Sequence, residues 1–328
     1  MPNLSITSTL KGSSKPIVAI SRFRQLLATS SEDGSLKIWN LDTFKVLHGF
    51  LPSCFEGAAV TSILWRNDRT LLVSADTSLY TITIPSTGGP LLSKTASSCS
   101  RIATDEINAM TQLDKNRVAV ADDSGAVIIY NLTKSCTTAT FRHGNMVTSL
   151  ARSGDTLVSG SLDCRVLFWD LKSGRTVHEL DVAGHRRAAG SGMGEGVNPP
   201  YVHALAGHRG TVVAGLGDGG VLVTREVGVG RNRTREVASV TAHGVAVNAL
   251  LVLVLGPATG PGPEYLLTAS NDRTCKLWRL DALFRADVEP VSVVQVPGKV
   301  NAMAVLSDTK AILGDVCGNL TVLSLTPL

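Results

Sequence analysis

Apolar residues in this chain come in short runs, each cut by Gly, Asp, Asn or Ser before it reaches the length of a helix. The runs are rich in Val, Ile, Leu and aromatic residues and read as strands separated by turns. The stretch 156–174, TLVSGSLDCRVLFWDLKSG, carries the pattern most plainly. Residues 157–161 predict one strand, Leu162-Asp163-Cys164 a tight turn, and 165–169 a second strand. Asp170 and Gly174 close the unit with another turn. Asp163 precedes Trp169 by six positions, and the same spacing recurs from Asp33 to Trp39 and from Asp272 to Trp278. Three copies of one strand–turn–strand unit are a repeat, and a repeat decides the architecture.

Taken in order, units of about four strands fall at 15–50, 59–97, 106–142, 145–181, 201–242 and 243–296. The segment 300–327 supplies only three strands. Residues 3–10 alternate like a strand and belong to no other unit, so they are expected to pair beside 320–325 and close a ring of seven. The segment 182–200, VAGHRRAAGSGMGEGVNPP, breaks the rhythm and reads as a flexible insertion before a rigid Pro-Pro entry. A second Gly- and Pro-rich loop falls at 256–264. Residues 1–328 are otherwise expected to form a single domain.

This repeat resembles the WD40 pattern, the mark of a β-propeller blade. The resemblance implies an all-β, seven-bladed propeller whose last blade is closed by the N-terminal strand. Its residue types make physical sense. The turn carboxylate Asp163 is expected to accept from His143. That His would also bond Ser159 or Ser161 and, through it, the Trp169 indole. His243, Thr268 or Ser270, Asp272 and Trp278 form the same set, and Asp33 and Trp39 a shorter one. These His-Ser-Asp groups look like hydrolase triads, but they recur with the repeat, whereas a catalytic site would occur once.

The remaining composition narrows the function. The chain has 328 residues, 44% hydrophobic, and no apolar run long enough to span a membrane. Its N-terminus lacks an apolar signal core. Six scattered cysteines without a CxxC pair point to reduced thiols in the cytoplasm or nucleus and away from a zinc site. No cofactor is implied. A net charge of +4 does not by itself point to nucleic acid. Gly190, Gly192, Gly194 and Gly196 lack the strand, helix and Gly-Lys-Ser/Thr of a phosphate loop. Asp122, Asp123 and Asp218 read as turn acceptors. Arg186 and Arg187, with Arg231, Arg233 and Arg235, are candidate contacts for an acidic partner. Tyr201 is a candidate for the channel mouth or, equally, for burial within its blade.

Beyond the repeat, the chain resembles the family of WD repeat-containing protein 53. The resemblance rests on ValThrSerIle at 60–63, GluIleAsnAlaMet at 106–110 and AlaValAlaAspAspSerGlyAlaVal at 119–127. It continues in AsnProProTyrValHisAlaLeu at 198–205, LeuLeuThrAlaSerAsnAsp at 266–272 and LysValAsn at 299–301. It implies a non-enzymatic scaffold or adaptor that binds other proteins, a monomeric propeller within a complex. It further implies a substrate receptor of cullin-4 ubiquitin ligases that docks on the damaged-DNA-binding protein 1 subunit. Such receptors often carry Trp-Asp-x-Arg at the end of a third strand. Here Trp169-Asp170-Leu171-Lys172 matches, with Lys172 in place of Arg, and Lys lacks the planar fork. In the second unit Thr83-Ile84-Pro85 stands where that family tends to carry Asp-x-Arg. The alternative class is a propeller enzyme with its site in the central channel.

Overall fold

The computed structural model describes residues 2–84, 91–93, 98–188, 198–227, 234–255, 262–285 and 288–326. They form seven sheets, antiparallel apart from one short added strand. Blade 1 holds Ile17–Phe23, Leu26–Ser31, Leu36–Asn40 and Lys45–Phe50, and blade 2 holds Val60–Trp65, Thr70–Ala75, Ser78–Thr83 and Ser98–Arg101. Blade 3 holds Ile107–Gln112, Arg117–Asp122, Ala126–Asn131 and Cys136–Arg142. Blade 4 holds Val147–Ser153, Thr156–Ser161, Arg165–Asp170 and Arg175–Asp181. Blade 5 holds Val202–His208, Thr211–Leu216, Gly220–Val227 and Thr234–Thr241. Blade 6 holds Val247–Val254, Glu264–Ser270, Thr274–Arg279 and Ser292–Gln295. Blade 7 has Val300–Ser307, Lys310–Asp315 and Asn319–Thr326, and Asn3–Lys11 completes it.

Burial explains why the second strand of each blade shows no alternation of apolar and charged residues. In Leu26–Ser31, Thr70–Ala75 and Thr211–Leu216 every residue after the first is buried, because neighbouring blades cover both faces. The outer strand Cys136–Arg142 is almost wholly exposed. Seven apolar clusters hold the ring, and each is shared by two adjacent blades. Tyr80 of blade 2, for example, packs with Phe50 of blade 1, and Trp39 of blade 1 with Ile312 of blade 7. First strands of successive blades touch all the way round, including blade 7 with blade 1.

The N-terminal strand closes the ring as expected. Asn3–Lys11 pairs antiparallel with Asn319–Thr326, from Asn3 opposite Thr326 to Lys11 opposite Asn319. Leu4 is buried in the cluster between blades 6 and 7. The turn after the second strand also repeats. Its left-handed position holds Gly34, Gly125, Gly219 or Gly318 in four blades, and Cys164 or Arg273, with φ of 61° and 62°, in two others.

Two expectations need correction. The insertion 182–200 begins with a helix, Val182–Ala188, rather than a flexible loop. Asp181 caps it by accepting the Gly184 N–H at 3.0 Å. Residues 189–197 lie outside the described residues. Blade 2 also extends past the expected 97. The fourth strand is Ser98–Arg101, while Leu91–Ser93 runs parallel to His48–Phe50 and adds a fifth strand to blade 1. No helix among the described residues is long and apolar enough to cross a membrane.

Candidate functional site

The polar set of blade 4 forms a closed relay. The Trp169 Nε1–H donates to Ser159 Oγ at 2.7 Å, and Ser159 Oγ lies 2.7 Å from His143 Nε2. His143 Nδ1 lies 3.0 Å from Asp163 Oδ2, which also accepts the Gly144 N–H at 2.9 Å. With His143 Nδ1–H donating to Asp163 and Nε2 accepting from Ser159, every link runs in one direction. Ser159 is the hub; Ser161 instead donates to the Asn145 carbonyl and accepts the Asp163 N–H.

Blade 6 repeats the relay with Thr268 as hub, 2.8 Å from His243 Nε2 and 3.0 Å from Trp278 Nε1. Ser270 takes the part of Ser161. Blade 1 has a shortened version. Trp39 Nε1 donates to Thr29 Oγ1 at 2.9 Å, and Asp33 accepts the Ser35 N–H. Both His side chains are fully buried. Burial raises the Asp163 and Asp272 carboxyls, but the hydrogen bonds they accept outweigh it and hold both below the ordinary carboxylate value. Burial also pushes the His243 imidazole below its usual value, against the pull of Asp272. With each hydroxyl enclosed, no substrate atom can reach it. The sets hold blades in shape.

Blade 5 solves the same problem differently. Asp218 occupies the turn position of Asp163, accepting the Gly220 N–H at 2.8 Å as Asp163 accepts that of Arg165. Its partner is Arg186, from the helix Val182–Ala188. The Nε donates to Asp218 Oδ2 at 2.7 Å, Nη1 to Ser239 Oγ at 3.2 Å and Nη2 to Thr241 Oγ1 at 3.3 Å. Arg186 is 4% exposed, so it is a blade residue and not the surface contact expected from sequence. The neighbouring Arg187 is exposed. Arg235 pairs with Glu226 and lies over the Phe168 ring at 4.0 Å. Arg231 and Arg233 lie outside the described residues.

The other expected contacts divide in the same way. Trp169, 5% exposed and stacked on Phe141 at 4.6 Å, cannot offer its ring to a partner. Asp170 accepts the Lys172 N–H at 2.7 Å, and the exposed Lys172 ammonium lies 3.5 Å from Asp155. Tyr201 is half-buried. The residue that reaches the channel is His203, two positions further on.

The channel follows a rule that the sequence reading missed. Every first strand opens with a buried β-branched residue: Ile17, Val60, Ile107, Val147, Val202, Val247 or Val300. The strand then bulges, and the register slips at that point in all seven blades. A bulge re-aims the side chain that follows. Val18, Thr61, Asn108, Thr148, His203, Asn248 and Asn301 thereby line one cavity of about 550 Å³, with Met146 and Asn271. Most also fasten their blade to the next. Asn301 Nδ2 donates to the Ile17 carbonyl at 3.1 Å, Asn108 Nδ2 to Val147 at 3.3 Å, and Thr61 and Thr148 to Ile107 and Val202. In blade 1, where Val18 has no donor, Ser30 Oγ bonds the Val60 carbonyl at 2.8 Å. The recurring pair of β-branched then polar residue was the available signal. The lining is uncharged apart from the ability of His203 to titrate, and burial holds that imidazole below its usual value. Such a wall offers donors and acceptors for binding.

The family model described as WD domain, G-beta repeat matches residues 4–40, 135–170 and 234–279. Over these three segments the chain is similar to WD40 repeats. Each matched WD40 repeat starts in the outer strand of one blade and ends after the third strand of the next. Residues 4–40 therefore join Asn3–Lys11 of blade 7 to the first three strands of blade 1. This one-strand stagger between repeat and blade is what leaves the N-terminal strand free to close the ring. WD40 propellers typically serve as protein-interaction scaffolds. No curated protein matches the chain.

Proposed function

We propose that this WD40 chain is a non-catalytic adaptor that binds other proteins through the loops on its two faces. The supporting observation is the enclosure of its reactive-looking side chains. His143, Ser159, His243 and Thr268 spend their hydrogen bonds inside blades. Binding energy must then come from the exposed loops, concentrated in a few residues. Six free cysteines fit a reducing compartment, cytoplasm or nucleus.

The finer reading, a cullin-4 ligase receptor related to WD repeat-containing protein 53, draws on the family resemblance and on the Asp170–Lys172 turn. Lys172 is 82% exposed in its side chain, and among the described residues its ammonium faces the equally exposed Asp155 carboxylate at 3.5 Å, a solvent-screened contact that leaves it able to turn toward a partner. Titrating the damaged-DNA-binding protein 1 subunit against wild type, Lys172→Arg and Lys172→Glu tests the reading. Arginine should tighten docking and glutamate abolish it. Equal binding by all three removes this turn as the docking point, and no binding at micromolar concentration removes the ligase role.

A further inference from the structure

The turns between first and second strands lie together on one face of the propeller, and in blades 1 to 4 they carry a run of cations. These are Arg22 and Arg24 in blade 1, Arg66 and Arg69 in blade 2, Lys115 in blade 3 and Arg152 in blade 4. None of the six forms an ion pair among the described residues. Three are instead pinned by backbone carbonyls. Arg22 Nε donates to the Arg24 carbonyl at 2.8 Å, Arg66 Nη2 to that of Lys115 at 3.0 Å, and Arg152 to those of Gly154 and Leu113. A carbonyl orders a guanidinium without neutralising it, so the charge stays available and the side chain is already in place.

The contacts also show that these turns are neighbours. Arg66 reaches from blade 2 to blade 3, and Arg152 from blade 4 to blade 3. Trp65 of blade 2 bonds the Ser21 carbonyl of blade 1 at 3.1 Å. On this arc Asp114 is taken by Arg117 and Asp155 faces Lys172, while Asp68 lies exposed between Arg66 and Arg69, so the six cations outnumber the one carboxylate that no cation faces among the described residues. The opposite face of blades 2 and 3 is mainly acidic, with Glu56, Asp76, Asp105 and Asp123 against Arg101 and Arg142.

We propose that this arc of blades 1 to 4 is a docking surface for an acidic polypeptide segment, rich in Asp or Glu. A nucleic acid is a poorer occupant. Among the described residues of these first-to-second-strand turns no aromatic ring is free to stack a base, since Trp65 is 5% exposed and Phe23 lies beneath Arg24; Phe44, on the neighbouring turn of blade 1, is half-buried. The acidic opposite face repels a long polyanion wrapped round the rim. The inference rests on the interaction reading above, but not on the ligase.

Anisotropy titration of a fluorescein-labelled octaglutamate peptide tests it. Wild type should bind saturably, more weakly as salt rises. Arg69→Glu with Lys115→Glu should weaken binding about tenfold or more, because both sit exposed at turn tips on the proposed contact. Asp76→Lys, on the other face, should leave it unchanged. The melting curve of the double variant should match wild type, since neither Arg69 nor Lys115 holds a blade through its side chain. No saturable binding by wild type, equal binding by the double variant, or tighter binding of a single-stranded oligonucleotide of the same charge would each overturn the proposal. If octaglutamate fails while the adaptor docks at Lys172, the arc falls alone. If the peptide binds and the adaptor does not, the ligase reading falls alone.

Discussion

Replacing Ser159 by alanine removes one oxygen and orphans two buried groups. Ser159 is fully buried and stands between the Trp169 N–H and His143 Nε2, each 2.7 Å away. Neither neighbour can reach water, so each bears a desolvation penalty on the order of 1–3 kcal/mol. Some relaxation is expected, so the loss should come to about 2–4 kcal/mol. Thr29→Ala is the internal reference. It orphans only the Trp39 N–H, because no histidine joins the blade 1 hub, and should cost about 1–2 kcal/mol. Urea titration followed by tryptophan fluorescence measures both. The midpoint should move further for Ser159→Ala, with the slope unchanged. A double-mutant cycle with Trp169→Phe then isolates the indole link, and coupling above about 0.5 kcal/mol is expected. If Ser159→Ala unfolds at the wild-type midpoint, or matches Thr29→Ala, the relay is not what holds blade 4.

Three more outcomes follow from other contacts. Arg186→Met should destabilise the fold by about 3–5 kcal/mol because it strands the Asp218 carboxylate, 9% exposed in its side chain; adding Asp218→Asn should recover part of the loss, and an additive double variant would refute the pairing. Deleting residues 1–11 should lower the melting temperature and promote association through the freed edge of Asn319–Thr326, so a monomer with unchanged melting would count against closure. Acidification should destabilise the protein in two stages. Burial holds the imidazoles of His48, His178, His203 and His243 below 6.5, so their contribution is whole above that pH and is lost as pH falls beneath it. Asp163 and Asp272, held below 3.8, lose theirs only at still lower pH. His243→Gln should shrink the first stage in a melting series, and an undiminished first stage would show that His243 does not contribute to it.

Much of the fold was legible because the repeat is local. Asp33, Asp163 and Asp272 stand six residues before a tryptophan, and turn and strand chemistry lie within that span. What escaped depends on partners far along the chain. Asp218 was readable as a turn acceptor, but its cation comes from Arg186, 32 residues earlier, on a helix too short and Gly-containing to announce itself. Leu91–Ser93 pairs with its neighbour blade in parallel, a choice no local pattern fixes. The choice between Ser159 and Ser161 turned on register. The two residues point the same way along one strand, and only the paired position of Trp169 opposite Leu157 brings the indole to Ser159. The channel lining was missed for another reason. It depends on a bulge, and alternation assigns the residue at a bulge to the wrong face.

The seam at blade 7 sets a timetable for biosynthesis. Asn3–Lys11 emerges before the other strands of the ring and waits for a partner that emerges after all of them, and Thr326 meets Asn3 across a separation of 323 residues. Blades 1 to 6 can each pair their own strands as they emerge, but the circle cannot shut during translation. A partly made ring therefore carries two unmatched edges at once, one at Asn3–Lys11 and one at the newest strand, the arrangement that attracts holding chaperones. Premature termination anywhere before Asn319 leaves the first strand permanently single, so a truncated product cannot pass for a finished one.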